Sequence, residues 1–123
     1  MKYISFVVPC YNSSEYMKKC INSLLVGGED VAVIIIDDGS VDNTLKIAKY
    51  YEKKYPTIVK AIHQKNGGHG EGINTGLRYA TGKYFKVVDS DDWVSKSALK
   101  RAIDISKKVN SDLIVMTYVY TYK

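Results

Sequence analysis

The sequence predicts an α/β fold, a doubly wound and mostly parallel sheet covered by helices in three layers, and three observations carry that expectation. Strand-like and helix-like segments alternate along the chain. Val31 to Ile36 is an unbroken apolar run dominated by β-branched residues, and the residues able to do chemistry sit just after strand-like segments. An apolar run of that kind is buried on both faces, which a parallel sheet between helical layers provides.

Each element has a local reason. Tyr3 to Val8 is rich in strand formers, and Pro9, which has no N–H to give a ladder, is expected to close it. A helix follows, with Asn12 as its cap and Glu15 as the return partner. Tyr16, Met17, Cys20, Ile21, Leu24 and Leu25 share one face, and Gly27-Gly28 stops the helix. After the Val31–Ile36 strand, a second helix runs from Thr44 to Tyr55 and ends at Pro56; a third strand covers Ile58 to His63. The glycine-rich stretch Asn66-Gly67-Gly68-His69-Gly70-Glu71-Gly72 leads into a short helix through Leu77 and Ala80, with Gly82 as a left-handed cap. Tyr84 to Val88 forms a fourth strand. Ser95 or Ser97 caps a helix through Leu99, Ala102, Ile103 and Val109, and Leu113 to Tyr118 begins a fifth strand. Right-handed crossovers then place helices on both faces of one sheet.

The 123 residues suit one domain, and 46% hydrophobic with 25% charged residues excludes a disordered or coiled-coil chain. The longest apolar run is too short to cross a bilayer and the N-terminus has no signal-peptide pattern, so a cytoplasmic chain is expected. Cys10 and Cys20 match no zinc or redox spacing and are expected to be reduced, Cys20 as a small core residue. The net charge of +5 comes from lysines scattered in ones and twos, which reads as a solvated surface with no nucleic-acid partner. The acids are different: Asp37, Asp38 and Asp42 form one cluster and Asp89, Asp91 and Asp92 another. Clustered like charge costs energy unless something offsets it.

In a doubly wound sheet, ligands bind beyond the carboxyl ends of the strands where the winding reverses. Pro9-Cys10-Tyr11-Asn12, Asp37-Asp38-Gly39-Ser40 and Asp89-Ser90-Asp91-Asp92 all fall there. Asp89-Ser90-Asp91 suits a hard divalent cation, Mg²⁺ or Mn²⁺, that shares its coordination with phosphate oxygens. Standing alone, the pair would read as a strand end and a helix cap; a second acidic loop across the rim favours the metal. Asp42 reads as a cap of the second helix. Asp38, at a strand mouth, can accept the ring N–H of a pyrimidine, and Tyr11 offers an aromatic face beside it. The glycine-rich stretch matches neither the P-loop nor the dinucleotide fingerprint. His63 and His69 have no ligand-spaced partner and read as loop or strand-end histidines, while Trp93 reads equally as a cover over the core or a substrate platform.

With these residues in place, the chain resembles, over its whole length, the N-terminal half of a family 2 glycosyltransferase of the GT-A fold, with its Rossmann-like nucleotide-binding subdomain. The resemblance is carried by Val7-Val8-Pro9-Cys10-Tyr11-Asn12, Ile36 to Asp42, Asn66-Gly67-Gly68 through Asn74-Thr75-Gly76, and Asp89-Ser90-Asp91-Asp92. It implies transfer of a sugar from a nucleotide donor, usually UDP-linked, to a saccharide, lipid or protein hydroxyl with inversion, as in polysaccharide biosynthesis. It also implies roles: Pro9 and Tyr11 border the base with Asn12 beside them, Asp38 binds uracil, and Gly67 and Ser90 line the substrate. Asp89 lies against the ribose or sugar and joins Asp91 at the metal, with Asp92 assisting indirectly. One departure is that Gly72-Ile73 precede Asn74 where the family often carries Ala-Arg.

A receiver-type phosphoacceptor domain is the competitor by size, but it needs an acid pair after the first strand, where this chain has none. A sugar nucleotidyltransferase would need a Gly- and Arg-rich opening loop, and a non-catalytic nucleotide-binding module remains the alternative. Residues 1–123 are expected to be the nucleotide-sugar-binding part, cut before an acceptor-binding half, with no catalytic base in this chain. The strand-like Leu113–Tyr122 would then be covered by continuing chain or by a second copy. Attachment at the inner face of a membrane would come through parts outside the chain.

Overall fold

The computed structural model describes residues 2–108 and 121–122. A four-stranded parallel sheet forms its centre, with β1 (Ile4–Cys10), β2 (Val31–Asp38), β3 (Val59–Gln64) and β4 (Tyr84–Val87) in the order β3-β2-β1-β4. Four helices accompany it: α1 (Met17–Leu25), α2 (Thr44–Lys54), α3 (His69–Tyr79) and α4 (Lys96–Lys108). The short strands β5 (Trp93–Val94) and β6 (Thr121–Tyr122) form a separate antiparallel pair. The expected strand over Leu113–Tyr118, and the surface it would offer a second copy, lie outside the described residues.

Strand order explains the layers. The chain steps from β1 through β2 to β3 in one direction and returns to place β4 on the other side of β1. Right-handed crossovers therefore put α1 and α2 on one face and α3 on the other. The side chains agree: Ile4, Phe6, Val8, Val31, Val33 and Ile35 join α1, α2 and α4 residues in the larger core. Val7, Ile34 and Ile36 form the smaller core on the α3 face, with Ile62, Ala80 and Val87 packed against them. Alternate residues of each strand thus serve opposite faces, and β2 is buried at all eight positions. In α1, Met17, Cys20, Ile21 and Leu24 are buried at helical spacing; each large one contributes about 1.5–3 kcal/mol by leaving water.

Four local expectations are corrected. β1 does not end before Pro9: it pairs with β2 through Cys10↔Asp37 but with β4 only as far as Val7↔Val87. Val7 O accepts from Val88 N–H at 2.9 Å, so by the two-residue alternation Pro9 also turns its backbone nitrogen toward the β4 side, where no strand remains to require a donor. Asn12 does not cap α1. The helix starts five residues later without a side-chain cap, and Asn12 instead holds a left-handed turn at φ 49°, a conformation Asn tolerates better than most residues. Gly82 is not a left-handed cap, since φ is positive only at Gly28, Gly39 and Gly68 among the described glycines. Its lack of a side chain serves close packing: a Cβ there would lie 2.7 Å from Ser5 N, while Ser5 Oγ accepts from Gly82 N at 2.7 Å. The second strand runs two residues past Ile36, because Asp37 and Asp38 pair with His63 and Gln64 on β3. For α4 the cap is Ser95, whose Oγ accepts from Ala98 N at 3.1 Å.

Both cysteines are free, as expected, and both are buried, Cys10 as well as the expected core residue Cys20. Burial pushes the Cys10 thiol up to about 12 and raises Cys20 as well, so neither is a thiolate at neutral pH.

α3 lies unusually close to the sheet. A Cβ at Gly76 would fall 2.2 Å from Val7 Cγ1, and one at Gly72 3.5 Å from Pro9 Cβ. Gly76 lets α3 settle onto β1, which brings its N-terminal end to the rim of the sheet, while a side chain at Gly72 would make only ordinary contact.

Candidate functional site

The winding reverses between β1 and β4, and the loops that follow these strands meet at the carboxyl rim of the sheet. Three connections build the meeting point. Ser13 is almost fully buried, and its Oγ lies 2.8 Å from Ser90 Oγ, joining the loop after β1 to the loop after β4. Ser13 N donates to Thr44 Oγ1 at 2.8 Å, which anchors the same loop to the start of α2. Asn12 crosses to the loop after β2: its Oδ1 accepts from Val41 N at 2.9 Å, and its N donates to Ser40 Oγ at 2.9 Å.

The two acidic clusters have different fates. In the first, every carboxylate is engaged by the fold. Asp37 is fully buried on the face that carries α1 and α2; its Oδ1 accepts from Ser40 N at 3.2 Å and its Oδ2 lies 2.7 Å from His63 Nδ1. Asp38, the next residue, faces α3. Its Oδ1 accepts from Gln64 Nε2 at 2.9 Å and Gly67 N at 2.8 Å, and its Oδ2 accepts from Gly68 N at 3.0 Å. Burial would raise the Asp38 carboxyl, but these donors outweigh it and hold the group below its ordinary range. Oδ2 accepts one hydrogen bond here and retains capacity for another. Gln64 is itself held by Thr75 Oγ1, which donates to Gln64 Oε1 at 2.6 Å. Gly39, at φ 74°, allows the turn between the two acidic residues and Ser40 to pass close to Asn66, where a Cβ would lie 2.9 Å from the Asn66 nitrogen.

Asp42, the expected cap of α2, stands one residue before the N-cap position, Asn43, which makes no side-chain cap bond, and holds the helix start from there. Its Oδ1 accepts from Thr44 N at 2.9 Å and Thr44 Oγ1 at 2.5 Å, and its Oδ2 accepts from Ser14 N at 3.2 Å. Burial opposes ionisation, yet these donors lower the carboxyl from its ordinary 3.8 to about 2. A depressed carboxyl contributes stability that is present above the ordinary value and is lost as pH falls through the folded one. Acid unfolding followed by circular dichroism should therefore show wild-type stability falling as pH drops from 3.8 toward about 2. Asp42→Asn should flatten that limb; an unchanged profile would refute the coupling.

In the second cluster the carboxylates gather. A turn closed by Asp92 N donating to Asp89 O at 3.0 Å folds Asp89, Asp91 and Asp92 together. One carboxylate oxygen from each lies within 4.8 Å of the others; Asp89 and Asp91 are exposed and Asp92 is buried. Three hard oxygen donors converging at a strand mouth fit a divalent cation such as Mg²⁺ or Mn²⁺. Asp92, expected to assist only indirectly, brings a carboxylate oxygen into the same group.

Pro9, Cys10, Tyr11, Asp38, Gly68 and Gly72 line a pocket of ≈ 100 Å³ at the rim. Pro9, Tyr11 and Asp38 therefore share one wall system, with Tyr11 half exposed. Gly67 borders this system through its amide, which is turned inward to Asp38. Asn12 and Ser90 serve as ties between loops in the hydrogen bonds described. Ser13 and Gln64 escaped the sequence reading, and Thr75 stood there only as part of the Asn74-Thr75-Gly76 motif, since nothing local marks a serine, glutamine or threonine as a strut. His63 meets Asp37, and Trp93 stacks beneath Lys19, whose Nζ lies 3.5 Å from the ring centroid, so Trp93 packs toward α1. The His69 side chain lies outside those described.

A parallel sheet wound both ways from β1, with an acid turn beyond β4, defines an α/β domain, and its solved neighbours are glycosyltransferases of the GT-A type. One is the crystal structure of Staphylococcus aureus TarS 1–349 in complex with UDP-GlcNAc, with a TM-score of 0.76 and 35% identity, covering 88% of this chain and 32% of that one. The model for Glycosyl transferase family 2 matches residues 5–123, and the chain belongs to that family. It is 39% identical over 114 residues to the poly(ribitol-phosphate) beta-glucosyltransferase of Bacillus spizizenii, which covers 89% of this chain and 18% of that protein. It is 34% identical over 119 residues to the poly(ribitol-phosphate) beta-N-acetylglucosaminyltransferase TarS of S. aureus, covering 94% of this chain and 21% of TarS. The chain thus spans about a fifth of the length of these two relatives. No helix among the described residues is long and apolar enough to cross a membrane.

Proposed function

We propose that this chain binds the nucleotide diphosphate of a sugar donor, UDP-linked, and serves a glycosyltransferase that passes the sugar to a hydroxyl acceptor with inversion. The observation that carries the reading is the gathering of Asp89, Asp91 and Asp92 at the carboxyl rim, next to the pocket formed by Pro9, Tyr11 and Asp38. Carboxylates alone would repel a diphosphate, so the pairing of an acid turn with a base-sized pocket calls for a cation between them. Supporting it, a relative 35% identical to this chain holds UDP-GlcNAc in its crystal structure.

Asp89 and Asp91 would hold Mn²⁺ or Mg²⁺, with the third carboxylate, Asp92, beside them. When bound, the cation supplies Lewis-acid stabilisation to the departing diphosphate. The chain's own residues bind and orient. Tyr11 and Pro9 flank the base, and Asp38 Oδ2 accepts the uracil ring N–H with the bond it has left to make. Asp89 approaches the ribose or sugar. Asn12, Ser13 and Ser90 keep the three loops in one geometry before the donor arrives, which lowers the ordering cost of binding. Inversion needs a base to take the acceptor's proton, and the reading assigns that role to no residue of this chain. The competing receiver reading has no acid pair at the end of β1, where Cys10, Tyr11 and Asn12 stand instead.

Calorimetric titration of the protein with UDP tests the reading. Binding should be strong with Mn²⁺ and largely lost with EDTA. A folded chain that binds no UDP in either condition would overturn it.

A further inference from the structure

The same crossovers that build the site also sort the basic residues. α1, α2 and α4 lie on one face of the sheet, and they carry Lys18, Lys19, four lysines of α2 and five cations of α4, against two carboxylates, Glu52 and Asp104. Lysines scattered in the sequence thus become one basic helical layer, while the acid turn sits at the rim. Glu52 pairs with Lys49 at 3.6 Å while accepting from Ala61 N at 2.9 Å, and Lys107 pairs with Asp30 at 3.2 Å, which still leaves the layer an excess of cations.

Between α1 and α2 this layer opens into a groove of ≈ 480 Å³ lined by Lys18, Asn43, Lys46, Ile47, Tyr50 and Tyr51. Its floor is fixed, because Tyr51 Oη donates to Asn22 Oδ1 at 2.9 Å and ties the two helices together. Lys18 and Lys46 line it, and neither forms an ion pair among the described residues. An anion seated in the groove is attracted by both cations. Tyr50 is 56% exposed beside them, and Lys54 lies over the rings of Tyr50 and Tyr55 at 5.7 and 5.6 Å.

We propose that the α1–α2 face docks on an anionic lipid bilayer, with the groove seating a headgroup phosphate. Three features favour a bilayer over other polyanions. Among the described residues the face is a broad layer of helices on a sheet, with no element projecting to enter a nucleic-acid groove. Its exposed aromatic is tyrosine among lysines, the pairing suited to a membrane interface, where the ring lies at headgroup level and lysine stems snorkel. Lys18 and Lys46 also sit in the first turns of their helices, at the end of the molecule that carries the carboxyl rim, so docking there brings the rim close to the lipid surface while leaving it open at the side.

Co-sedimentation with vesicles tests this, using phosphatidylcholine alone and phosphatidylcholine mixed with phosphatidylglycerol. The protein should bind the mixed vesicles at low salt and not the neutral ones. Lys18→Glu with Lys46→Glu should weaken that binding about tenfold or more, because each reversal both removes an attraction and adds a repulsion within a Debye length of the surface. Lys60→Glu, on the exposed side of β3 and away from the groove, should change it by no more than about twofold, with circular dichroism confirming the fold of all variants. Equal binding to neutral vesicles, full binding by the double variant, or duplex DNA bound as tightly with the same lysine dependence would each overturn the assignment.

Discussion

Asp91→Asn should lower the affinity for UDP in Mn²⁺ by about a hundredfold, leaving the weak binding in EDTA unchanged. Removing one anionic oxygen ligand strips charge from a cation site that has three carboxylates in reach, and disturbing even the outer partners of metal ligands costs 10–100-fold as a rule. Because Asp91 is exposed, its replacement should leave thermal stability nearly as it was. Asp42→Asn is the matched control. It changes the same charge, but its carboxylate is spent on Thr44 and Ser14, so it should alter UDP affinity by no more than about twofold, consistent with Asn being nearly as good as Asp at a helix start. Equal losses in the two variants, measured by calorimetry, would sink the assignment of the metal to the second cluster.

Gly76→Ala should destabilise the protein by about 2 kcal/mol. Two effects compete at this position. Alanine is the better helix former by about 1 kcal/mol, whereas its Cβ would lie 2.2 Å from Val7 Cγ1, 3.0 Å from Val7 Cγ2 and 3.2 Å from Val7 Cβ. Val7 is fully buried and β-branched, and its own Cβ would lie 3.2 Å from the added atom, so turning the side chain relieves only part of the crowding. Overpacking of this kind costs about 1–3 kcal/mol and more where nothing yields, and we expect it to win. Urea denaturation should show the loss, and combining the change with Val7→Ala should recover part of it through a favourable coupling. A Gly76→Ala variant as stable as the parent would show that α3 can slide away from β1. The consequence reaches the rim, because α3 carries the backbone that follows Gly67 and Gly68, the donors to Asp38.

Much of the architecture is legible along the chain. The continuous apolar run of β2 reports burial on both faces, the helical spacing of Met17, Cys20, Ile21 and Leu24 reports the buried side of α1, and Pro56 marks the end of α2. Boundaries were less legible where a partner strand decides them. Pro9 stays inside β1 because β4 stops short of it, a fact about a segment over 70 residues away. Asp37 and Asp38 extend β2 because His63 and Gln64 extend β3. Asn12 and Gly82 misled for the same reason: both carry strong local cues for capping, and both are used instead for contacts with Val41 and Ser5 across the fold.

The functional rim divides along the same line. The sequence by itself determined that three polar loops follow β1, β2 and β4, and that six aspartates cluster in two of them, since strand periodicity and turn chemistry are local. Only the tertiary structure decided what each aspartate does. Asp38 finds its donors 26 to 30 residues away, Asp37 meets His63 26 residues on as well as the nearby Ser40, and Asp42 reaches back 28 residues to Ser14, so these carboxylates hold loops together. Asp89, Asp91 and Asp92 are turned toward one another by a single tight turn. The difference is one of position: parallel pairing sets the first group beside β3 and the turn that follows it, whereas the second stands at the switch point between diverging crossovers, where adjoining strands end and a ligand has room to enter.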